Sequence, residues 1–280
     1  VDVAIIGAGL SGIGAAVHLG KHCPEKSVAL FEGRERMGGT WDLFRYPGIR
    51  SDSDMYTLGY KFKPWTNPKA IADGSSILDY IKETAREYDV ESRIRYQHHV
   101  VDADWSSLEG CWTLRMERGD TGETVRVQSR FVLCAAGYYN YEQGHEPHFE
   151  GREDFRGQVI HPQHWPEDLD YAGKRVVVIG SGATAVTLVP AMTDQAEHVT
   201  MLQRSPSYVA SVPEKDVLSN RLREFLPDRT VYHMARARNV LLAMGIFNAS
   251  KQWPDRMRRL LLNGVEKQVG DHVDMKHFSP

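Results

Sequence analysis

Cysteine is scarce in this chain: 280 residues hold only Cys23, Cys111 and Cys134. They are too far apart for a paired-ligand metal motif, and an odd number cannot form a complete disulfide set. Each therefore reads as a small buried hydrophobe in a reducing, cytoplasmic setting. No apolar run is long enough to cross a bilayer, and no secretory leader is visible. Charge of either sign is not in excess. The net value is −3, from 34 Lys and Arg against 37 Asp and Glu, which argues against a nucleic-acid partner. Low-complexity tracts are absent, and nothing repeats except two glycine-rich loops.

The first loop is Gly7-Ala8-Gly9-Leu10-Ser11-Gly12, between the apolar run Val3-Ala4-Ile5-Ile6 and an alanine-rich stretch from Ile13 to Leu19. In such a strand–turn–helix, the first glycine permits the tight turn. The second lets a pyrophosphate approach the backbone, and the third lets helix and strand pack closely. The phosphates then meet free N–H groups at the positive end of the helix dipole. A strand at Ser27–Phe31 ends in Glu32, 20 residues after Gly12. An acid there accepts bonds from both ribose hydroxyls, so FAD or NAD is expected. The plainer alternative is a glycine-rich turn with a surface glutamate.

The second loop is Gly180-Ser181-Gly182-Ala183-Thr184-Ala185, between Val176–Ile179 and Val186–Met192. Alanine replaces the last glycine, which the pattern tolerates. The next strand, His198–Leu202, ends in Gln203-Arg204-Ser205 rather than in an acid, and Arg204 lies 19 residues after Ala185. A guanidinium matches a 2′-phosphate in shape and charge, which favours NADP over NAD, and Ser205 adds a hydroxyl donor. The alternative for Arg204 is a solvated surface residue. Two loops in this context imply an enzyme that passes electrons between two dinucleotides.

Three further stretches stand out: Gly38-Gly39-Thr40-Trp41, the run from Tyr46 to Tyr56, and Phe155-Arg156-Gly157-Gln158-Val159-Ile160-His161-Pro162-Gln163-His164-Trp165-Pro166. The last fits FxGxxxHxxxWP. Taken alone, Ser51-Asp52-Ser53-Asp54 reads as a polar turn or helix cap, His161 as a hydrogen-bonded structural histidine and Trp41 as core. Together with the loops, these stretches resemble class B flavoprotein monooxygenases of the Baeyer–Villiger type. The resemblance covers nearly the whole chain. Trp165-Pro166 separates that group from the N- and S-oxidising flavin monooxygenases.

The resemblance implies an α/β fold of two Rossmann-like dinucleotide-binding domains, for FAD and NADP, the second with a helical insertion. It implies NADPH, FAD and O2 as reactants. An oxygen adduct at flavin C4a inserts one oxygen atom into a ketone to give an ester or lactone, and thioamides or sulfides are further substrates. Gly7, Gly9, Ser11, Gly12, Glu32, Gly39, Thr40, Trp41 and Asp52 match FAD contacts, and Val100 lies near the adenine. Arg50 and Ser51 belong to the same flavin-facing segment. Asp52 matches an acid that orients a catalytic arginine. Gly180, Ser181, Gly182, Ala183, Thr184, Arg204 and Ser205 match NADP contacts. Phe155, Gly157, His161 and Trp165 belong to a motif that governs domain motion more than bond making.

The expected segments are a first FAD-domain portion at 1–138, an NADP domain at 139–213 and a helical insertion at 214–280. The family's catalytic arginine and the returning part of its FAD domain lie past the region that ends here at Pro280. The chain is therefore expected to be a C-terminally truncated piece that binds FAD poorly and does not oxygenate alone. Locally, Ile77, Leu78, Ile81 and Ala85 predict a helix over Ser76–Tyr88, with strands near Arg93–Tyr96 and Val100–Trp105. A hairpin joins Trp112–Glu117 to Thr124–Gln128 through Gly119-Asp120-Thr121-Gly122, and Phe131–Ala135 reads as a buried strand. Three helical stripes come next: Leu218, Leu222, Phe225 and Leu226; Val240, Leu241, Met244 and Phe247; and Met257, Leu260, Leu261 and Val265. They are expected to pack against the rest of the enzyme rather than on a membrane.

Competing readings are an N-hydroxylating or S-oxidising flavin monooxygenase and an inactive nucleotide-binding remnant. The disulfide reductases also use two such units, but they need a cysteine pair near the flavin, which this chain lacks.

Overall fold

The structure, a computed structural model, describes residues 1–280 apart from the side chain of His272. Contacts divide the chain into two compact units, Val1–Arg45 with Gly74–Glu167, and Tyr46–Asp73 with Asp168–Pro280. These limits cross the expected boundaries at 138 and 213. Residues 46–73 join the second unit because its helices hydrogen-bond them.

In the first unit, β1 (Val3–Ile6), β2 (Val28–Phe31), β3 (Ile94–Arg95) and β7 (Phe131–Cys134) form a parallel sheet of order β3-β2-β1-β7. Val3 pairs with Val28 on one side and Phe131 on the other. Strands buried on both faces need continuous apolar runs, which VAII and VALF supply. Helix α1 (Leu10–His22) packs against β1, β2 and α4 (Gly74–Glu87), burying Ile13, Ala16 and Val17.

On the other face, an antiparallel sheet of β4 (His98–Ser106), β5 (Cys111–Arg118) and β6 (Thr124–Ser129) supplies Leu114 and Met116. These meet Ala4, Ala29 and Phe31, with Val100, Val127 and Val132 packed around them. Strand alternation turns Ile5 the opposite way, toward Gly12 of α1. The hairpin turns where the glycine pair predicted it.

The second unit contains one β-α-β element: β8 (Arg175–Ile179), α5 (Ala183–Met192) and β9 (His198–Leu202), with β8 and β9 parallel. Burial alternates along both strands. Val177, Ile179 and Leu202 are exposed, on the faces away from the partly buried positions.

Three helices complete this unit: α6 (Val217–Leu222), α7 (Asp228–Gln252) and α8 (Pro254–Val269). They correct the expected packing of the stripes. Phe225 and Leu226 lie beyond the end of α6, just before Pro227, and Phe225 is exposed. Val240, Leu241, Met244 and Phe247 are exposed on α7, and α8 buries no residue fully. The buried face of α7 is earlier, at Val231, Tyr232 and Ala235, because that is where the 46–73 segment lies.

That segment has little regular structure beyond the short α3 (Met55–Leu58), so its carbonyls need other donors. Arg223 donates from Nη1 to Thr66 O (2.9 Å) and from Nη2 to Trp65 O (2.8 Å). Arg236 Nη1 donates to Tyr56 O (2.6 Å) and Thr57 O (3.1 Å), carbonyls near the negative end of α3. Tyr56 and Tyr232 pack their rings 6.3 Å apart.

Asp216 caps α6 by accepting from Ser219 N (3.1 Å) and Ser219 Oγ (2.6 Å), and pairs with Arg238 of α7. Burial raises the Asp216 carboxyl, but the bonds from Arg238 and Ser219 outweigh it and hold it below the usual carboxylate range. A folded value below the unfolded one stabilises above about pH 4 and is lost as pH falls through the folded value. Protection factors of the α6 amides should therefore fall on acidification below about pH 4. In Asp216→Asn they should start lower and respond less, as hydrogen exchange would measure.

Candidate functional site

The first loop leaves β1 with Gly7 N donating to Phe31 O at 2.8 Å, which ties it to the end of β2. Gly7 takes a φ of +103°, and a Cβ there would lie 2.6 Å from Ala135 O, so both conformation and space demand glycine. At Gly12 a Cβ would lie 2.0 Å from Gly7 O. Gly9 differs. Its added Cβ would meet nothing nearer than Gly39 Cα at 3.5 Å, an ordinary contact. Gly9 is also the N-cap of α1, with no side-chain cap hydrogen bond and no acid in the first turn. The positive end of the helix dipole lies here, and Gly9 adds no side chain in front of it.

Glu32 is buried at the end of β2. Its Oε2 accepts from Ala8 N (2.8 Å) and its Oε1 from Arg34 N (3.0 Å). Each oxygen keeps acceptor capacity for a hydroxyl. Gly38 N donates to Ala8 O (3.0 Å), bringing Gly39 against Gly9 and setting Thr40 and Trp41 at the start of α2 (Thr40–Leu43). Ser11 is exposed on the first turn of α1. Val100 sits partly buried in the inter-sheet core.

The second loop reproduces this geometry. Gly180 N donates to Leu202 O at 2.8 Å. Gly182 N-caps α5 with φ −80° and ψ −173°, against −84° and −169° at Gly9. Again no side chain caps the helix, and among the described residues nothing lies within 4 Å of a Cβ added at Gly180 or Gly182. Ser181 and Thr184 are partly buried and Ala183 is exposed in the same turn, while Arg204 and Ser205 are exposed beyond β9.

In the run after Gly48, the four polar residues divide their work. Asp54 is the helix cap, accepting from Thr57 N (3.1 Å) and Thr57 Oγ1 (2.9 Å). Ser51 is buried, and its hydroxyl serves the loop itself, donating to Ser53 O (2.8 Å) and accepting from Ser53 N (3.1 Å). Asp52 is exposed and takes no hydrogen bond or ion pair among the described residues. Arg50, also exposed, bridges to Asp73 through backbone.

In the motif ending at Pro166, the exposed Phe155 ring covers Gly157, where a Cβ would come within 2.6 Å of Cζ. His161 Nδ1 accepts from Gln163 N (3.2 Å) and caps a short turn at Pro162–His164. Trp165 is partly buried.

Two residues beside the first loop escaped the sequence reading. Asp42 is buried on α2, bonded by Arg34 Nη2 at 2.6 Å and Arg36 Nε at 3.3 Å. Tyr141 places its ring 5.5 Å from the Arg34 guanidinium and its hydroxyl beside Gly39. Burial pushes its phenol up, against a bond from Thr40. The Arg34-x-Arg36 pair was a signal for an acid partner; Tyr141 comes after β7 with no periodic or spacing cue.

Two strand–loop–helix cradles of matching geometry define a dinucleotide-binding α/β protein. The NAD(P)-binding Rossmann-like domain matches residues 5–65, and the flavin-binding monooxygenase-like family matches residues 60–236. The chain belongs to the flavin-binding monooxygenase-like family. It is 53% identical over 282 residues to the FAD-containing monooxygenase EthA of Mycobacterium tuberculosis, and 49% identical over 281 residues to EthA of Mycolicibacterium smegmatis. Each match covers 100% of this chain and 57% of the relative, so the chain spans little more than half their length. Among solved structures, an open cyclohexanone monooxygenase matches at TM-score 0.72 and 28% identity, covering 85% of this chain and 45% of that one. An oxidised steroid monooxygenase bound to NADP matches at TM-score 0.69 and 31% identity, covering 83% and 43%.

The glycines should separate fold from ligand. Gly12→Ala should lose about 1–3 kcal/mol of stability through overpacking, measured by denaturant titration. Gly9→Ala and Gly182→Ala should unfold at the wild-type midpoint, their cost falling on phosphate approach alone.

Proposed function

We propose that the whole protein is an NADPH- and FAD-dependent monooxygenase of the Baeyer–Villiger type, acting on ketones, with thioamides or sulfides as further substrates. The observation that carries this is the pair of equivalent cradles, one strand ending in an acid and the other in an arginine. The first cradle fits FAD. Gly9 puts no side chain between the positive end of α1 and a pyrophosphate, and Glu32 keeps acceptor capacity for ribose hydroxyls. The second fits NADPH, with open space at Gly180 and Gly182 and an exposed Arg204.

In this reading the bound flavin supplies hydride acceptance and activation of dioxygen. The backbone of Gly7–Gly12 binds the flavin pyrophosphate, Glu32 fixes the ribose, and Thr40 and Trp41 orient the group beside Gly39. Arg50 and Ser51 shape the flavin-facing loop. Ser181, Ala183 and Thr184 hold the NADP phosphates, and Ser205 assists Arg204 at the 2′-phosphate. Asp52, whose oxygens are unengaged, orients an arginine of the whole protein that steadies developing negative charge. The three cysteines are free, but their expected burial is not met: Cys23 and Cys111 are partly buried and Cys134 is exposed. No helix is long and apolar enough to cross a membrane among the described residues.

The full-length protein, given NADPH, oxygen and a cyclic ketone, should release the lactone. Oxidation of amines with no ketone conversion would overturn the reading. Arg204→Ala should raise the KM for NADPH about 10–100-fold, the loss of a charge-assisted bidentate contact, and leave the KM for NADH nearly unchanged.

A further inference from the structure

We infer that Gly144 is the seat of His161 and that Gly144 and Gln163 are positioning residues for the Phe155–Pro166 motif. Gly144 has no left-handed φ, so backbone strain does not call for glycine there. Space does. A Cβ on Gly144 would lie 2.3 Å from His161 Cε1, 2.5 Å from Nδ1 and 2.7 Å from Nε2. Contact with three ring atoms at once means that the imidazole lies across the Gly144 backbone, with its face where a side chain would be.

A second anchor fixes the rotation of the ring. Nδ1 accepts from Gln163 N at 3.2 Å, so the neutral ring carries its hydrogen on Nε2 and offers a donor there. Gln163 is itself buried, and its side-chain Nε2 donates to Asn140 O at 2.6 Å. Asn140 Oδ1 in turn accepts from Glu142 N (3.0 Å) and Gln143 N (3.4 Å), which shapes the turn that delivers Gly144. Glu146 and Arg152 pair at 2.9 Å and brace the chain between the two turns. The 140–144 turn and the 161–163 turn therefore lock each other, with the histidine between them.

The same turn carries Tyr141, whose hydroxyl lies beside Gly39 of the first cradle. His161 is thus held by a segment that also touches the flavin-binding loop. On the proposed function, on which the catalytic part of this inference rests, the motif sets the conformations through which turnover proceeds. A histidine seated on two sides gives the motif one geometry; an alanine at 144 displaces the ring.

The test is a double-mutant cycle in the full-length protein with FAD, using Gly144→Ala, His161→Ala and both together. Two readouts are followed: ring 15N shifts of His161, and NADPH- and ketone-dependent kcat and KM. In Gly144→Ala the His161 Nδ1 signal should lose its hydrogen-bonded acceptor shift. Its kcat should fall about tenfold, to the level of His161→Ala, with the KM for ketone unchanged. The double variant should be no worse than His161→Ala, since without the ring the added methyl has room. Gln163→Leu, which keeps the backbone donor and loses the Asn140 bond, should shift kcat the same way if Gly144→Ala folds poorly. A wild-type ring signal in Gly144→Ala overturns the inference, as do additive losses in the double variant. A wild-type protein that turns over no ketone refutes the functional reading instead, while the ring shifts still decide the seat.

Discussion

One hydrogen bond recurs at the root of both cradles: the amide of a loop's first glycine donates to the carbonyl that ends the neighbouring strand. It joins Gly7 to Phe31 and Gly180 to Leu202, at 2.8 Å in each case. This bond fixes the loop against the next strand and so sets the distance between the loop and the residue that follows that strand. The residue just past that strand then decides the chemistry. Glu32 is drawn inward, bonded by the loop's own Ala8 amide, whereas Arg204 stays exposed. The carboxylate is pre-oriented at the cost of some acceptor capacity, while the guanidinium stays in water.

Arginine does much of the remaining structural work. Long irregular segments leave carbonyls without ladder partners, and a planar guanidinium with five donors can satisfy several together. Arg223 and Arg236 do this for residues 56–67, and Arg34 and Arg36 converge on the single buried carboxylate of Asp42. The contacts of Arg223 and Arg236 are why residues 46–73 fold with helices from far along the chain.

Much of the fold was legible because periodicity and glycine placement are local signals. The strands of the first sheet, the hairpin and both loop helices arise from short apolar runs and turn residues, although β7, expected to be buried, leaves Phe131 and Cys134 exposed. The glycines of both cradles were legible for the same reason. The stripe on α7 was not. Val240, Leu241, Met244 and Phe247 have helical spacing, yet the covered face is the earlier Val231–Tyr232–Ala235, and only the position of the 46–73 segment decides that. The Ser-Asp-Ser-Asp run was half legible: one acid is a cap, but the sequence could not say that Asp54 takes the role and leaves Asp52 exposed. Asp42 and Tyr141 depend on charge and ring contacts between separated segments, which leave no period to read.

Gly9 and Gly39 meet back to back, and a Cβ on Gly39 would stand 3.1 Å from the Gly9 Cα. Two motifs far apart in the chain therefore share one patch of van der Waals surface. A side chain gained at the later position would push on the phosphate loop as surely as one gained within it. The constraint is one-sided: a Cβ at Gly39 crowds the first loop, whereas one at Gly9 makes only an ordinary contact with Gly39.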